Sequence, residues 1–469
     1  MKKFSSYLKK KKPLVKELVS KLNEKFDFAS VLATDVDGTM YMVDKSSTAI
    51  RPTYIAECGF VARVFKDNVY SEYSFNELKS KDIDGIVNKI IKLADSNIVT
   101  DKVKAKLIEE EKIQESFARK EVGHKYGDEE IISILTELKD YGFSLYPNII
   151  NVQVGFETNH YSKMYISNSK DLEQFYVYNN YYSFVMVRGE NDMKYAYDGY
   201  GGNNPKKEFK ILRNSVKECA VLANDLLKAE LPKPGVYTIV TDPSITGLIA
   251  HEAFGHGLEM DMWVKDRAKS QEYMNKKVAS NLVTMHDGAN SAFSAASYFF
   301  DDEGAMGSDT VIIDKGILVG GICDSISASQ LNYKPTGNGR RQSYKRKSYT
   351  RMTNTYFDCI DNGVTLKDII RSVDYGYYVS CTNNGMEDPK NWGIQCTALY
   401  GREIKNGKFT GKIISPVVMS GYVIDLLESI SMVANTKEVI GSGSCGKGYK
   451  EWVRVSDGGA SMKCKVKIG

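Results

Sequence analysis

Apolar residues recur along this chain with two different periods, and the switches between them lay out its elements. Leu14, Val15, Leu18, Val19 and Leu22 fall at helical spacing and predict an amphipathic first helix beginning just past Pro13. The period then shortens to two. Val31–Val43 and Phe60–Phe75 alternate around Asp37-Gly38 and Asp67-Asn68, so both segments read as hairpins. A second helix is expected over Asn76–Ala94. The Lys- and Glu-rich stretch of about 101–142 also reads as helix, most apolar in Ile131–Leu138. Strand periodicity returns in Ile149–Glu157 and Ser183–Gly189 and fades at the glycines and asparagines of Tyr200–Asn204. Pro205–Glu230 predicts a long amphipathic helix, and the LPKP of Leu231–Pro234 marks a boundary. Beyond it, short apolar runs are broken by Gly, Asn and Asp. The pattern is that of an α+β protein. An N-terminal α/β-mixed domain with an antiparallel sheet occupies 1–230, and a β-rich C-terminal domain occupies 231–469.

Composition narrows the function classes. At 469 residues and 42% hydrophobic, the chain can bury two cores. Its formal charge of +4 gives no reason to expect a nucleic-acid partner, which clustered surplus Lys and Arg would announce. The eight cysteines are irregularly spaced without CxxC pairs, which points to a reducing compartment and no disulfide framework. No segment approaches the roughly 18–20 apolar residues of a membrane span. The opening MKKFSSYLKKKKPLV has positive charge but no apolar region behind it, so no secretory signal is read and cytoplasmic residence is expected. The Lys9–Lys12 run reads as a solvated approach to the first helix.

The chemistry concentrates in HEAFGH. Of only 5 histidines, His251 and His256 lie within six residues, with Glu252 beside the first. Two imidazoles and a carboxylate suggest a divalent metal, zinc above all, with the glutamate placed to take a proton from water. Regular helix does not suit the spacing, because residues i and i+5 point roughly 140° apart at about 100° per residue. A π-type widening or a local loss of helix is therefore expected, with Gly255 and Gly257 supplying backbone freedom. Upstream, Val236–Val240 reads as a strand, and Asp242 followed by Pro243 as the cap and first position of a helix buried through Ile245, Leu248, Ile249 and Phe254. The competing reading makes His251 and His256 ordinary helix histidines.

Two histidines leave a catalytic zinc one ligand short. Glu259, Asp261, His286 and a cysteine are the candidates. Cys445 stands out in GSGSCGKG, where four glycines let the chain turn tightly and Lys447 would lower the thiol pKa. A small apolar residue in a glycine-rich turn is the plainer account of the same cysteine.

HEAFGHGLE together with SCGKG resembles the TldD/PmbA family of metallopeptidases, in its TldD-type, metal-motif-bearing branch. DDEG at Asp301–Gly304, GNGRR at Gly337–Arg341 and RMTNT at Arg351–Thr355 fit the same family, from about Val236 onward. The resemblance implies Zn²⁺ held by His251, His256 and Cys445, with Glu252 as general base. It also implies a peptidase of short or unfolded peptides, working as a homodimer or as a heterodimer with a paralogue that lacks the metal motif. The chain departs from the family pattern after Gly448, where Tyr449 follows and the usual glutamine is missing. The usual proline a few residues later is also absent, with Ala460 and Ser461 in that region. Substrate contacts near Cys445 are where those departures matter.

Arg340, Arg341 and Arg351 are candidate binders of a substrate carboxylate or backbone, surface and inter-subunit pairing being the alternative. His286 is expected to cap a turn. A non-catalytic reading remains, in which a closed metal site stabilises a regulatory or interaction protein. Val31–Thr39 also matches the strand plus D-x-D-G-T that opens haloacid dehalogenase-type phosphatases, with Asp35 as nucleophile and Asp37 as acid/base. That chemistry requires a parallel α/β sheet. Here hairpins follow.

Overall fold

Successive residues of the strand Phe28–Val43 face two different environments, and this alternation organises the N-terminal half. Ala29, Val31 and Ala33 pack with Leu8, Val15 and Leu18 of the helix Ser6–Asn23 and with Ile86 and Ile90 of Ile83–Thr100. Further along the same side, Tyr41 and Val43 meet Leu135 of the helix Asp128–Leu145 and Leu212 of Pro205–Leu226. Leu32, on the opposite side, packs with Phe300 of the C-terminal half. One sheet face is thus covered by four helices and the other by the second half of the chain. The computed structural model describes residues 3–100, 104–449 and 451–469.

The first sheet has eight strands. Its path runs Val69–Phe75, Glu57–Lys66, Phe28–Val43, Ile149–Ser167, Lys170–Arg188 and Ile113–Arg119. Thr48–Pro52 pairs with the third of these and Met193–Gly202 with the fifth. Neighbours are antiparallel, apart from the parallel pairing of Ile113–Arg119 with Lys170–Tyr176. The Asp67-Asn68 hairpin forms as expected, both residues taking positive φ (50° and 64°) in a two-residue turn between paired strands.

Several expectations are corrected here. The first helix starts at Ser6, and Pro13 lies inside it. Ser5 caps it through Leu8 N at 3.1 Å, and fully buried Leu8 anchors the turns ahead of the proline. Asp37-Gly38 makes no turn, because Phe28–Val43 runs straight through it with Gly38 opposite Asn159. The glycine serves close packing instead, since a Cβ there would stand 2.2 Å from the Thr158 carbonyl oxygen. With antiparallel partners on both sides, this strand is not the opening of a parallel phosphatase sheet. Asp35 accepts from Ser5 Oγ at 2.5 Å, and Asp37 pairs with His160 at 2.8 Å. The second helix runs Ile83–Thr100, later at both ends, with buried Leu78 in the loop before it. Within 101–142, Ile113–Arg119 is a strand seated by Ile113 and Phe117 against Leu172 and Phe300. Residues 101–103 lie outside the described residues.

The C-terminal half is built on an eleven-stranded sheet whose pairings close a ring. Gly235–Thr241 pairs with Tyr375–Asp388, then come Gly393–Lys405, Val417–Tyr422 and Glu451–Ile468, and the last returns to pair with Gly235–Thr241. Ile239, Val379, Cys396, Ala398, Met419 and Cys464 belong to the core of this half. Met432–Lys447 extends Glu451–Ile468 as a long antiparallel hairpin, with Cys445 opposite Val453. Among the described residues no helix is long and apolar enough to cross a membrane.

Candidate metal centre

The helix after Gly235–Thr241 starts as the sequence predicts. Asp242 Oδ1 accepts from Ile245 N at 2.8 Å with Pro243 in the first turn. Asp242 Oδ2 accepts from Ser380 Oγ at 2.6 Å, fixing the helix to Tyr375–Asp388. Gly247 permits a close approach to the strand Glu451–Ile468, since a Cβ there would lie 2.3 Å from Gly458 N. Regular α-helix ends at Leu248. A π-helix follows over Ile249–Gly255, then a 3₁₀ turn over His256–Leu258. In a π turn residue i+5 comes back over residue i, which is what the spacing of His251 and His256 requires.

The two imidazoles stand with ring centroids 5.2 Å apart and planes at 87°. Cys445 Sγ lies 3.6 Å from His256 Nε2, and the donor atoms of His251, His256 and Cys445 fall within 4.8 Å of one another. For zinc at about 2.3 Å from sulfur and about 2.0 Å from nitrogen, a tetrahedral angle puts S and N about 3.5 Å apart. His251, 4% exposed, keeps its Nδ1 without a hydrogen-bond partner. Two nitrogens and a sulfur suit zinc, whereas calcium and magnesium call for oxygen. The residues therefore fit the ion.

Cys445 sits on the strand Met432–Lys447, not in the tight turn expected from its glycines. Burial alone would raise its thiol, but the hydrogen bonds and charges of His251 and His256 hold it down at about 4. The same contacts raise both imidazoles against their burial. Lys447 is directed elsewhere. Its Nζ lies 3.1 Å from Glu259 Oε2 and 2.7 Å from Asp261 Oδ1, and it donates to the Thr350 carbonyl at 3.0 Å. Glu259 Oε2 is 3.2 Å from His256 Nδ1. Glu259 and Asp261, first considered as ligands, thus form a charged layer behind His256, an arrangement that fixes which ring nitrogen faces the site. Lys447 and His256 keep Glu259 ionised despite its burial.

Glu252 reaches a cleft of about 890 Å³ between the two halves of the chain, lined also by His251, Leu248, Tyr197, Leu222 and Ser444. Gly385 makes room for it, since a Cβ there would stand 2.4 Å from Glu252 Cγ. Burial raises its carboxyl, with His251 and His256 opposing. Two further acids adjoin the site without any local sequence signal. Asp457 is pushed up to about 6 by burial, with His251 opposing and Glu252 adding. Glu387 is pushed to about 8 by burial, with His256 opposing and Glu259 and Glu252 adding.

The three arginines bind the protein itself. Arg351 donates to the carbonyls of Cys445 at 2.5 Å and Glu451 at 2.9 Å. Arg340 donates to the carbonyls of Met352 and Arg454, and Arg341 to Glu72 at 2.9 Å. Arg340 and Arg341 line a separate cavity of about 80 Å³, and none of the three lines the cleft among the described residues. The intervening motifs brace the same frame. Asn338 Nδ2 and the hydroxyls of Thr353 and Thr355 all donate to Asp287. His286 lies on the strand Met285–Asp287, 2.8 Å from Asp309 and stacked on Tyr356, rather than capping a turn.

Residues 234–465 match the family described as the PmbA/TldA metallopeptidase C-terminal domain. Over 265 residues the chain is 34% identical to the Metalloprotease TldD homolog of Buchnera aphidicola subsp. Acyrthosiphon pisum (strain APS), covering 56% of this chain and 53% of that protein. The match thus spans about half the length of that relative. Metalloprotease MJ0996 of Methanocaldococcus jannaschii is 25% identical over 416 residues, covering 86% of this chain and 89% of its own. The crystal structure of TldE from Thermococcus kodakarensis superposes with a TM-score of 0.75 at 17% identity, covering 97% of this chain and 99% of that one, a likeness of fold.

Proposed function

The chain belongs to the TldD/PmbA family through its C-terminal half, and from that premise we propose that it is a zinc-dependent peptidase of short or unfolded peptides. The reading rests on one observation, the gathering of His251, His256 and Cys445 within 4.8 Å beside Glu252 at the wall of a cleft. Those three residues are proposed to hold the ion, which when bound supplies Lewis acidity to a carbonyl oxygen and to water. Glu252 accepts a proton from the attacking water and returns it to the leaving amine. Burial raises its carboxyl, the direction that favours a group which must give back the proton it takes. Glu259 and Lys447 hold the His256 ring, and Arg351 holds the Cys445 backbone. The proposed division is into domains 1–230 and 231–469, and residues from both line the cleft. A homodimer, or a heterodimer with a paralogue lacking the metal motif, is the proposed assembly.

Glu252→Gln tests the assignment. The variant should keep its metal and its melting temperature and lose cleavage of an unstructured peptide. Undiminished cleavage removes Glu252 from the chemistry. If wild-type protein carries stoichiometric metal yet cleaves nothing, the site is structural and the protein is a metal-stabilised interaction module.

A further inference from the structure

Six carboxyl side chains line the cleft that holds Glu252: Asp198, Glu218, Asp242, Glu252, Glu438 and Asp457. Two basic side chains face them, Lys217 and Arg402, and Arg402 is already paired with Asp225 at 3.2 Å. None of the six forms an ion pair among the described residues. Asp198 accepts from Ser215 Oγ and Gly199 N, and Asp242 from the neutral donors that cap its helix. Some acids elsewhere are ion-paired. Glu303 pairs with Arg63 at 3.0 Å, Glu157 with Arg454 at 2.7 Å and Glu259 with Lys447 at 3.1 Å. Of the six, Asp198, Asp242, Glu252 and Asp457 are partly buried, and Glu218 and Glu438 are exposed at the rim of the cleft.

Solvated acidic faces are common, but this one is concave and has apolar walls at Val221, Leu222, Leu248, Ile440 and Val455. The buried His251, with Nδ1 unpartnered, lies on the same wall. Burial is the main cause that raises the carboxyls of Asp198, Glu218 and Glu438, and neighbouring acids add to it, with hydrogen bonds opposing at Asp198 and Lys217 opposing at Glu218. A cationic ligand offsets the like-charge part on binding.

We propose that the cleft selects peptides carrying positive charge close to the bond to be cut, with Asp198, Glu218 and Glu438 receiving lysine or arginine side chains or a free amino terminus. The inference rests on the peptidase reading for the bond cut and on the cleft alone for the charge preference. Complementary charge acts mainly through encounter rate and orientation, so selectivity should appear in kcat/KM and weaken with salt.

The test uses metal-loaded Glu252→Gln protein and three short, unstructured Gly/Ser/Leu peptides of equal length carrying paired lysines, paired glutamates or neither. At low ionic strength the lysine peptide should bind roughly tenfold tighter than the glutamate peptide, the gap closing as salt is added. Adding Glu218→Gln and Glu438→Gln should bring the ratio toward one. A preference that survives amino-terminal acetylation assigns the recognised cation to side chains, and one that disappears assigns it to the terminus. Equal binding of all three peptides, or tighter binding of the glutamate peptide, overturns the proposal. Wild-type cleavage of the uncharged peptide is read separately. Its absence alongside an intact binding preference would end the peptidase reading and leave the charge selectivity standing.

Discussion

Lys447 Nζ lies 3.1 Å from Glu259 Oε2, and the same oxygen lies 3.2 Å from His256 Nδ1. Lys447 is two residues from Cys445, so the strand that brings the sulfur also orients the second imidazole. Lys447→Met should therefore lower metal affinity by about 10–100-fold, as loss of an outer partner of a metal-binding histidine does. Competition with a chromophoric chelator measures it. Unchanged affinity would mean that the Glu259 contact does not orient the ring.

Arg351, 1% exposed, spends its donors on the Cys445 and Glu451 carbonyls across the hairpin end. A lysine cannot reach both with a fork of fixed geometry. Arg351→Lys should cost about 1–3 kcal/mol through an unsatisfied buried carbonyl. Chemical denaturation of the metal-free protein reads that loss, and a metal titration shows whether the sulfur has shifted.

Gly38→Ala separates a turn from a close contact. The would-be Cβ meets the Thr158 carbonyl oxygen at 2.2 Å, so the substitution should destabilise by about 1–3 kcal/mol through overpacking. A midpoint in urea equal to wild type would show that the strands can part there at no cost.

Metal-free protein should hold Cys445 as thiolate against protonated imidazole. The thiol is depressed to about 4 from an unfolded value of about 8.5, so its stabilising contribution is present above the unfolded value and is lost as pH falls toward 4. His251 and His256 are raised, so theirs is present below an unfolded pKa of about 6.5 and is lost as pH rises through their folded values. Thiolate ultraviolet absorbance should therefore persist at about pH 6 in the metal-free wild type and fall in His256→Asn. An ordinary thiol titration in the wild type would separate the sulfur from the rings.

Geometry that follows from short-range rules was readable in the chain. The i, i+5 histidines demanded a distorted helix, Asp242-Pro243 marked its start, and Asp67-Asn68 named a hairpin. Reading failed where distant partners overruled local signals. Asp37-Gly38 carries turn chemistry, yet pairing on both sides of its strand extends it. Ile113–Arg119 is charged because much of it is exposed, which hid a strand set by Lys170–Tyr176. Asp457 and Glu387 reach the candidate metal centre from separate strands and carry no pattern nearby. For Cys445 the glycines suggested flexibility, whereas its position is set by the register opposite Val453.

The π segment Ile249–Gly255 also acts on what lies beyond it. Relative to an unbroken helix it adds one residue to a turn, so the chain past His256 leaves rotated by roughly 100°. The 3₁₀ turn His256–Leu258 and the extended backbone of Glu259 (ψ 104°) then carry Glu259 and Asp261 to Lys447. Excising Ala253 would restore the familiar four-residue spacing of the rings but swing both carboxylates away from the lysine. Ring alignment and the anchoring of the distal hairpin are thus two outputs of one inserted residue.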